Sequence, residues 1–270
     1  MIEIETYIVD SFTDQPFKGN PAGVCLLNNE LSDAEMLLIA KEMGLSETAF
    51  IREINENNDY PIRFFSPIME IPLCGHATLA SSKVLFEKSG HNSISFVTKQ
   101  NLRLPILCNK EFIKMRFPIY ETIPKEVPFA LLKALGIEET NNSVYNAETK
   151  ILLLEIQSAE LLKKLTPDFD KLKKSHKGIN GVLVTALSTK VDFDFESRYF
   201  WPWSGTNEDP VTGGTHTFLA KYWGKKLNKS KMNSFQCSER TGFMEVELLN
   251  KKDMTIKSKA QIVLQGMLRI

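Results

Sequence analysis

A chain of 270 residues with 33 basic and 33 acidic side chains carries no net charge, so no sequence-wide field draws it to nucleic acid or an anionic membrane. Its length exceeds the usual reach of one hydrophobic core, and 43% hydrophobic with 24% charged residues is an ordinary globular balance, so two domains are expected. No uncharged apolar run approaches the ~18 residues of a membrane span. The opening Met1-Ile2-Glu3-Ile4-Glu5 has acids where a secretory signal needs basic residues and an apolar core, which predicts a cytoplasmic protein. Cys25, Cys74, Cys108 and Cys237 lack CxxC spacing, and His76, His91, His176 and His216 do not pair at metal-ligand spacing, so a reduced protein without metal is expected.

Strand signals dominate the first half: residues 5–9, 23–27, 48–52 and 62–65 are short, β-branched or aromatic, and bounded by Gly, Asn or Pro. One helix interrupts them, opened by the capping box Ser32-x-x-Glu35, carried by Met36, Leu37, Ala40 and Met43, and stopped at Gly44. A second helix is expected from Gly75-His76 to Ser89-Gly90. Its Ala77, Leu79, Ala80, Val84 and Leu85 are apolar on more than one side, as suits a helix enclosed by sheet. Strands follow at 93–98, 102–107 and 112–117. The stretch 119–128, with Pro118, Pro124 and Pro128 and no clear period, marks a junction between domains 1–118 and 119–260, and the final strand 261–270 can return to the first domain.

The second half repeats the plan. A helix over 128–135 ends at Gly136, strands cover 143–146 and 151–156, and a helix over 158–165 stops before Pro167. Strands at 181–187 and 191–200 precede a long helix over 215–227, and strands at 234–237, 243–248, 254–257 and 262–270 close the chain. The Lys-rich stretches 171–174 and 225–231 read as solvated helix faces. The fold class is α+β: two sheet-rich halves, each wrapped around one long helix.

The halves also share a motif. Arg63-Phe64-Phe65-Ser66-Pro67 is followed by Glu70-Ile71-Pro72-Leu73-Cys74-Gly75, and Arg198-Tyr199-Phe200-Trp201-Pro202 by Glu208-Asp209-Pro210-Val211-Thr212-Gly213. Three extra residues separate the two parts of the second copy, and each copy runs straight into a long helix. The first N–H groups of a helix lack internal acceptors and carry about half a positive charge. Gly75 and Gly213-Gly214 let a ligand approach that backbone, so each start is a candidate carboxylate site, and a matched pair facing one cleft would hold a small acid between domains. Alternatively, these glycines only close tight strand-to-helix turns.

Asp10-Ser11-Phe12-Thr13-Asp14-Gln15-Pro16-Phe17-Lys18-Gly19-Asn20-Pro21-Ala22-Gly23-Val24 resembles the opening of the phenazine biosynthesis PhzF-like family. Ser46-Glu47-Thr48-Ala49-Phe50, the Arg63 block, Leu73-Cys74-Gly75-His76-Ala77-Thr78 and Glu208-Asp209-Pro210-Val211-Thr212-Gly213 match its other signatures in order. The resemblance implies the diaminopimelate epimerase-like fold, two pseudo-symmetric domains, each a barrel-like sheet around a central helix. It also implies cofactor-independent isomerisation of a small carboxylic acid, and a homodimer.

By the same resemblance, Glu47 is the acid and base that takes a proton from one carbon and returns it to another. From Ser46-Glu47-Thr48 alone, an exposed strand or turn glutamate is the favoured reading. Catalysis by a partly buried carboxyl suits a raised pKa. His76 orients or polarises substrate, or is a satisfied structural histidine. Asp209 holds an amino or hydroxyl group, or caps the second helix. Asn20, Cys74, Gly75, Thr212, Gly213, Gly214 and Thr215 are the expected substrate-binding positions.

Related epimerases and racemases place a Cys before the Gly of each repeat, and here Thr212 replaces the second. A threonine hydroxyl does not deprotonate a carbon acid near neutral pH without a base of its own, so a two-thiol mechanism is unavailable. Gly214 stands where the family commonly has Ser, and Cys237 where Gly is usual. An amino-acid or hydroxyproline-like epimerase, and a non-catalytic member that binds a small acid or a protein, are the rival readings.

Overall fold

The computed structural model describes residues 1–52 and 59–270. The chain forms two compact units, one made of Met1–Arg116 with Ile256–Ile270 and the other of Phe117–Thr255, against expected boundaries after residues 118 and 260.

The first unit begins β1 (Glu3–Ser11), β2 (Asn20–Leu27), α1 (Asp33–Met43), β3 (Thr48–Arg52), β4 (Asp59–Phe65) and β5 (Glu70–Ile71). It continues with α2 (Gly75–Ser89), β6 (Ser93–Thr98), β7 (Arg103–Asn109) and β8 (Phe112–Pro118), which reaches the junction. In the second unit come β9 (Ile123–Pro124), α3 (Phe129–Leu135), β10 (Asn142–Asn146), β11 (Ile151–Glu155), α4 (Ala159–Lys164) and α5 (Phe169–Ser175). Then follow β12 (Gly181–Leu187), β13 (Phe195–Trp201), a 3-10 turn at Pro202–Ser204, β14 (Thr206–Asp209), α6 (His216–Leu227), β15 (Lys231–Gln236) and β16 (Gly242–Leu248). β17 (Asp253–Ser258) leads back, and β18 (Ala260–Arg269) pairs with β1 in the first unit.

Strand pairing repeats between the units. β1 runs antiparallel to β2, β2 parallel to β3, β3 antiparallel to β4, and β4 lies antiparallel to β5 and parallel to β6. β10, β11, β12, β13, β14 and β15 repeat that sequence of orientations. A parallel pair needs a crossover, usually a helix. Here α1 connects β2 to β3, while α4 and α5 connect β11 to β12. The second crossover, from β4 to β6 or β13 to β15, carries α2 or α6.

Helix α1 forms as its cap predicts: Ser32 Oγ accepts from Glu35 N at 3.3 Å, Glu35 accepts from Ser32 N at 2.7 Å, and Gly44 closes the helix at φ 64°. It packs Met36, Ile39 and Ala40 against Ile4, Cys25, Phe50 and Phe65 of the sheet. Helix α2 is buried along both its apolar and its small polar residues, including Thr78, Ser81 and Ser82. Thr78 and Ser82 satisfy their hydroxyls on the carbonyls of Cys74 and Thr78, both at 2.7 Å, so the sheet can close around the helix on several sides. With α1 outside and α2 inside, β2 and β3 are buried on both faces. β11 and β12 likewise read as continuous apolar runs, with α3, α4 and α5 packed outside.

The solvated helix face expected over 171–174 belongs to α5, residues 169–175: Asp168 caps it by accepting from Lys171 N at 3.0 Å, and only Leu172 is buried. One expectation fails locally: the strand expected from 191 starts at Phe195, because Ser188 N donates to Asp194 O at 3.1 Å and closes a turn over those residues.

Candidate active site

The shared motif becomes one device built twice. In the first unit, Phe65 pairs with Glu70 across the β4–β5 hairpin, and Arg63 grips Glu70 with Nε and Nη2, each at 2.8 Å. In the second unit, Phe200 pairs with Glu208 across β13–β14, and Arg198 grips Glu208 with the same two nitrogens at 2.7 Å. Each guanidinium also lies over the Phe two residues on, at 5.2 Å and 4.8 Å from the ring centres. The three extra residues of the second copy are absorbed by the 3-10 turn and a register shift after Phe200. The bidentate clamp fixes the hairpin that delivers Cys74-Gly75 to α2 and Thr212-Gly213 to α6.

Neither central helix has a side-chain cap at its start. Among the described residues, the N–H groups of Gly75 and His76, and those of Gly213, Gly214 and Thr215, meet no backbone acceptor. Each start is therefore an electropositive end with donors to spare.

Glu47 and His76 meet at the start of α2. Glu47 precedes β3, and its carbonyl accepts from Gly23 N at 3.0 Å, so the parallel β2–β3 pairing fixes its backbone. Gly23 is required there, since a Cβ would lie 2.8 Å from Thr48 Oγ1. The Glu47 carboxylate lies 3.0 Å from His76 Nε2, with side chains only 12% and 10% exposed. Ser46 Oγ is 3.3 Å from the same nitrogen. On the other side of the ring, Nδ1 is 3.4 Å from both the Asn20 carboxamide and Cys74 Sγ. Asn20 can donate to a neutral ring or, with its oxygen inward, accept from an imidazolium.

The loop before Asn20 is held by Asp10, which accepts from Phe17 N at 2.7 Å, and by Gly19 at φ 68°. A Cβ on Gly19 would sit 2.0 Å from the Ser11 carbonyl, so only glycine lets the chain turn into β2 with Asn20 buried.

Burial alone would raise the Glu47 pKa, but the hydrogen bond and charge of His76, with a hydrogen bond from Ser46, bring it below the ordinary 4.5. This corrects the expectation of a raised value. Burial also disfavours charge on His76, yet the Cys74 sulfur and the Glu47 carboxylate hold its pKa well above 6.5. Burial keeps the Cys74 thiol above its usual range. At neutral pH Glu47 is thus a carboxylate, and its charge biases the neighbouring His76 ring toward the imidazolium.

This pair links stability to pH. The depressed Glu47 pKa contributes stability that is complete above 4.5 and lost as pH falls through the folded value; the raised His76 pKa contributes stability complete below 6.5 and lost as pH rises through its folded value. Both contributions are whole between 4.5 and 6.5. Urea midpoints should therefore fall on either side of that window, and Glu47→Gln should flatten the acid limb.

At the start of α6, Thr212 donates its hydroxyl to Asp209, and Gln236 spans the turn, accepting from Thr212 N at 2.9 Å and donating to the Asp209 carbonyl at 2.7 Å. Ser238 donates to the Pro210 carbonyl. Gln236 is a turn-fixing residue that the sequence reading passed over; its position five residues into β15 carries no local signal. Asp209 accepts from the Thr212 hydroxyl, and Thr215 at the helix start makes no side-chain cap. His216 is fully buried, contacts the Thr212 carbonyl at 3.0 Å and Ser234 at 2.7 Å, and is pushed down to about 4 by burial, so it is a neutral structural histidine. Thr215 is buried, its hydroxyl donating to the Thr212 carbonyl at 3.0 Å.

Gly214 is exposed, and a Cβ built there meets nothing within 4 Å. Gly214→Ser should fold with stability within about 0.5 kcal/mol of the parent, checked by thermal melting.

The family described as "Phenazine biosynthesis-like protein" matches residues 9–266. An "uncharacterized isomerase" of Halalkalibacterium halodurans is 40% identical over 92% of each chain. A crystal structure of a phenazine biosynthesis PhzF family protein from Enterococcus faecalis is similar over 100% of each chain, with 36% identity and a TM-score of 0.90. A hydroxyproline epimerase from Agrobacterium vitis shares the fold at 9% identity and a TM-score of 0.59, covering 98% of this chain and 92% of its own. The architecture is the diaminopimelate epimerase-like fold, and the chain belongs to the phenazine biosynthesis-like, or PhzF, family.

Proposed function

We propose that the protein is a cofactor-independent isomerase that moves a proton between carbons of a small carboxylic acid, with Glu47 as the shuttling acid and base. The observation that carries this reading is the Glu47 carboxylate held 3.0 Å from His76, nearly buried, beside the uncapped start of α2. As a carboxylate at neutral pH, Glu47 is ready to accept a proton. Once protonated it is neutral and can return that proton to a second carbon, so one group serves both steps. The free N–H groups of Gly75 and His76 suit the substrate's carboxylate. His76 orients Glu47 and, as an imidazolium, offsets charge that develops on the substrate. Asn20 and Cys74, both beside the His76 ring, are further contacts for the substrate. The isomerase name of the H. halodurans relative supports the reaction class.

A two-base epimerase is less well supported. Thr212 donates to Asp209 rather than to a stronger base, and an ordinary carboxylate does not turn an aliphatic hydroxyl into an alkoxide. A protein of this family working in the cytoplasm as a homodimer completes the reading.

The test is a panel of small cyclic and acyclic unsaturated acids, followed by NMR for a product of unchanged mass with a moved double bond. Product with inverted configuration and no moved bond would support the epimerase instead; binding without any conversion would favour a non-catalytic role.

A further inference from the structure

The motif that opens the chain carries two phenylalanines in the left-handed backbone region, Phe12 at φ 65° and Phe17 at φ 67°. That region crowds Cβ against the backbone, so a bulky side chain there is strained. Phe12 is fully buried, and burial of its ring offsets the strain. Phe17 is 75% exposed, so nothing in the fold offsets its own. Nor does the loop need a ring at that position. Its backbone is held by the Phe17 N–H, which donates to Asp10 at 2.7 Å, and by the Thr13 hydroxyl, which accepts from Gln15 N at 3.0 Å. Glycine or asparagine would adopt the same conformation with less strain.

Topology puts this ring beside the candidate site. Ser11 ends β1, Asn20 begins β2, and the two are cross-strand partners. Both hold His76: Ser11 Oγ donates to its carbonyl at 2.7 Å, and the Asn20 carboxamide is 3.4 Å from Nδ1. The loop carrying Phe17 therefore springs from the two strand ends that grip the start of α2. The chain from Phe17 to Asn20 reaches at most about 11 Å. Leu73, 40% exposed, immediately precedes Cys74, whose sulfur lies 3.4 Å from the same Nδ1. Two exposed apolar side chains thus stand on the two segments that meet the Nδ1 side of the His76 ring.

We propose that Phe17 is a ligand-contacting residue, its ring forming with Leu73 an apolar wall at the mouth of the Glu47–His76 site, on which the carbon skeleton of a bound acid packs. This deepens the reading above and rests on a small acid binding at the start of α2. Glu47, His76 and the helix N–H groups recognise charge and protons but offer no apolar surface. An exposed aromatic face supplies it, and it favours a flat or unsaturated skeleton over a charged or strongly hydrated one.

The test uses the full chain with benzoate and acetate as probes, their affinities measured by NMR titration. The parent should bind benzoate more tightly than acetate. Phe17→Gly and Phe17→Asn should weaken benzoate about three- to tenfold, the loss of one ring contact, and leave acetate as it is. Phe17→Tyr keeps the ring and should bind both acids as the parent does. Leu107→Ser is the control: Leu107 pairs with Ser93, just past the far end of α2, whose 15 residues span about 22 Å. Neither Phe17→Gly nor Phe17→Asn should lower the urea midpoint, since both residues accept left-handed backbone. Benzoate bound no better than acetate, or equally by the parent and Phe17→Gly, would overturn the contact. So would a lowered urea midpoint, which would make the ring part of the fold, or a smaller mass by light scattering in the Phe17 variants, which would make it a contact between copies. Binding is read without turnover. Acids that bind through Phe17 and are never isomerised would fail the functional reading alone, whereas a Glu47-dependent isomerase whose ligands bind Phe17→Gly as they bind the parent would fail this inference alone.

Discussion

Glu47→Gln lowers kcat by about 10²–10⁴-fold while substrate affinity and the far-ultraviolet circular dichroism spectrum stay those of the parent. Glutamine keeps the shape and one acceptor oxygen for His76 but cannot take and return a proton. The fold has little reason to respond, because Glu47 is placed by its backbone: its carbonyl is bound by Gly23 N in the β2–β3 ladder, whatever the side chain carries. Steady-state kinetics on any accepted acid, with ligand affinity measured by calorimetry, separates loss of chemistry from loss of binding. Glu47→Ala would confuse the two, since it opens space beside a buried imidazolium.

The second large effect is on stability. Glu208→Ala is expected to destabilise the second unit by about 3 kcal/mol, because it strands Arg198, whose side chain is only 11% exposed. Arg198 also donates to the Leu162 and Leu165 carbonyls at 3.2 and 2.7 Å, so it ties the end of α4 to the β13–β14 hairpin. Loss of its carboxylate partner leaves those bonds to hold a buried charge by themselves. The matching change in the first unit, Glu70→Ala, should cost only about 1 kcal/mol. Arg63 is twice as exposed, at 23%, and keeps Asp33 at 2.8 Å. Denaturant melts of the two variants, taken side by side, test whether the same motif bears different loads in the two units.

Much of this fold is legible in local chemistry. Ser32 and Glu35 announce α1, Gly44, Gly90 and Gly136 end helices in the left-handed conformation, and the duplicated Arg…Glu…Gly pattern announces two like halves. Each of these signals acts through a residue's own backbone or its near neighbours. α5 shows in the sequence only as a Lys-rich solvated face, because it buries only Leu172 and has no apolar stripe to read. The late start of β13 escapes because a turn hydrogen bond, rather than composition, decides it.

The candidate site divides the same way. Family likeness brings out Glu47, His76 and Asp209 as separate positions. That Glu47 and His76 form an ion pair depends on β2 and β3 lying parallel under the start of α2, which no local spacing encodes. The direction of the Glu47 pKa follows from that pairing, and the sequence reading, seeing a carboxyl expected to be buried but not its partner, inferred the opposite sign. Gln236 is invisible for the same reason: its two hydrogen bonds reach back across the chain to Asp209 and Thr212.

The account rests on carbon-bound hydrogen passing through the Glu47 carboxyl. The direct measurement is NMR of an accepted acid incubated in deuterium oxide with the parent or with Glu47→Gln at saturating ligand. Deuterium should enter a substrate carbon with the parent and stay out with the variant, though both bind the acid. Deuterium incorporation by Glu47→Gln at the parent's rate would contradict the account.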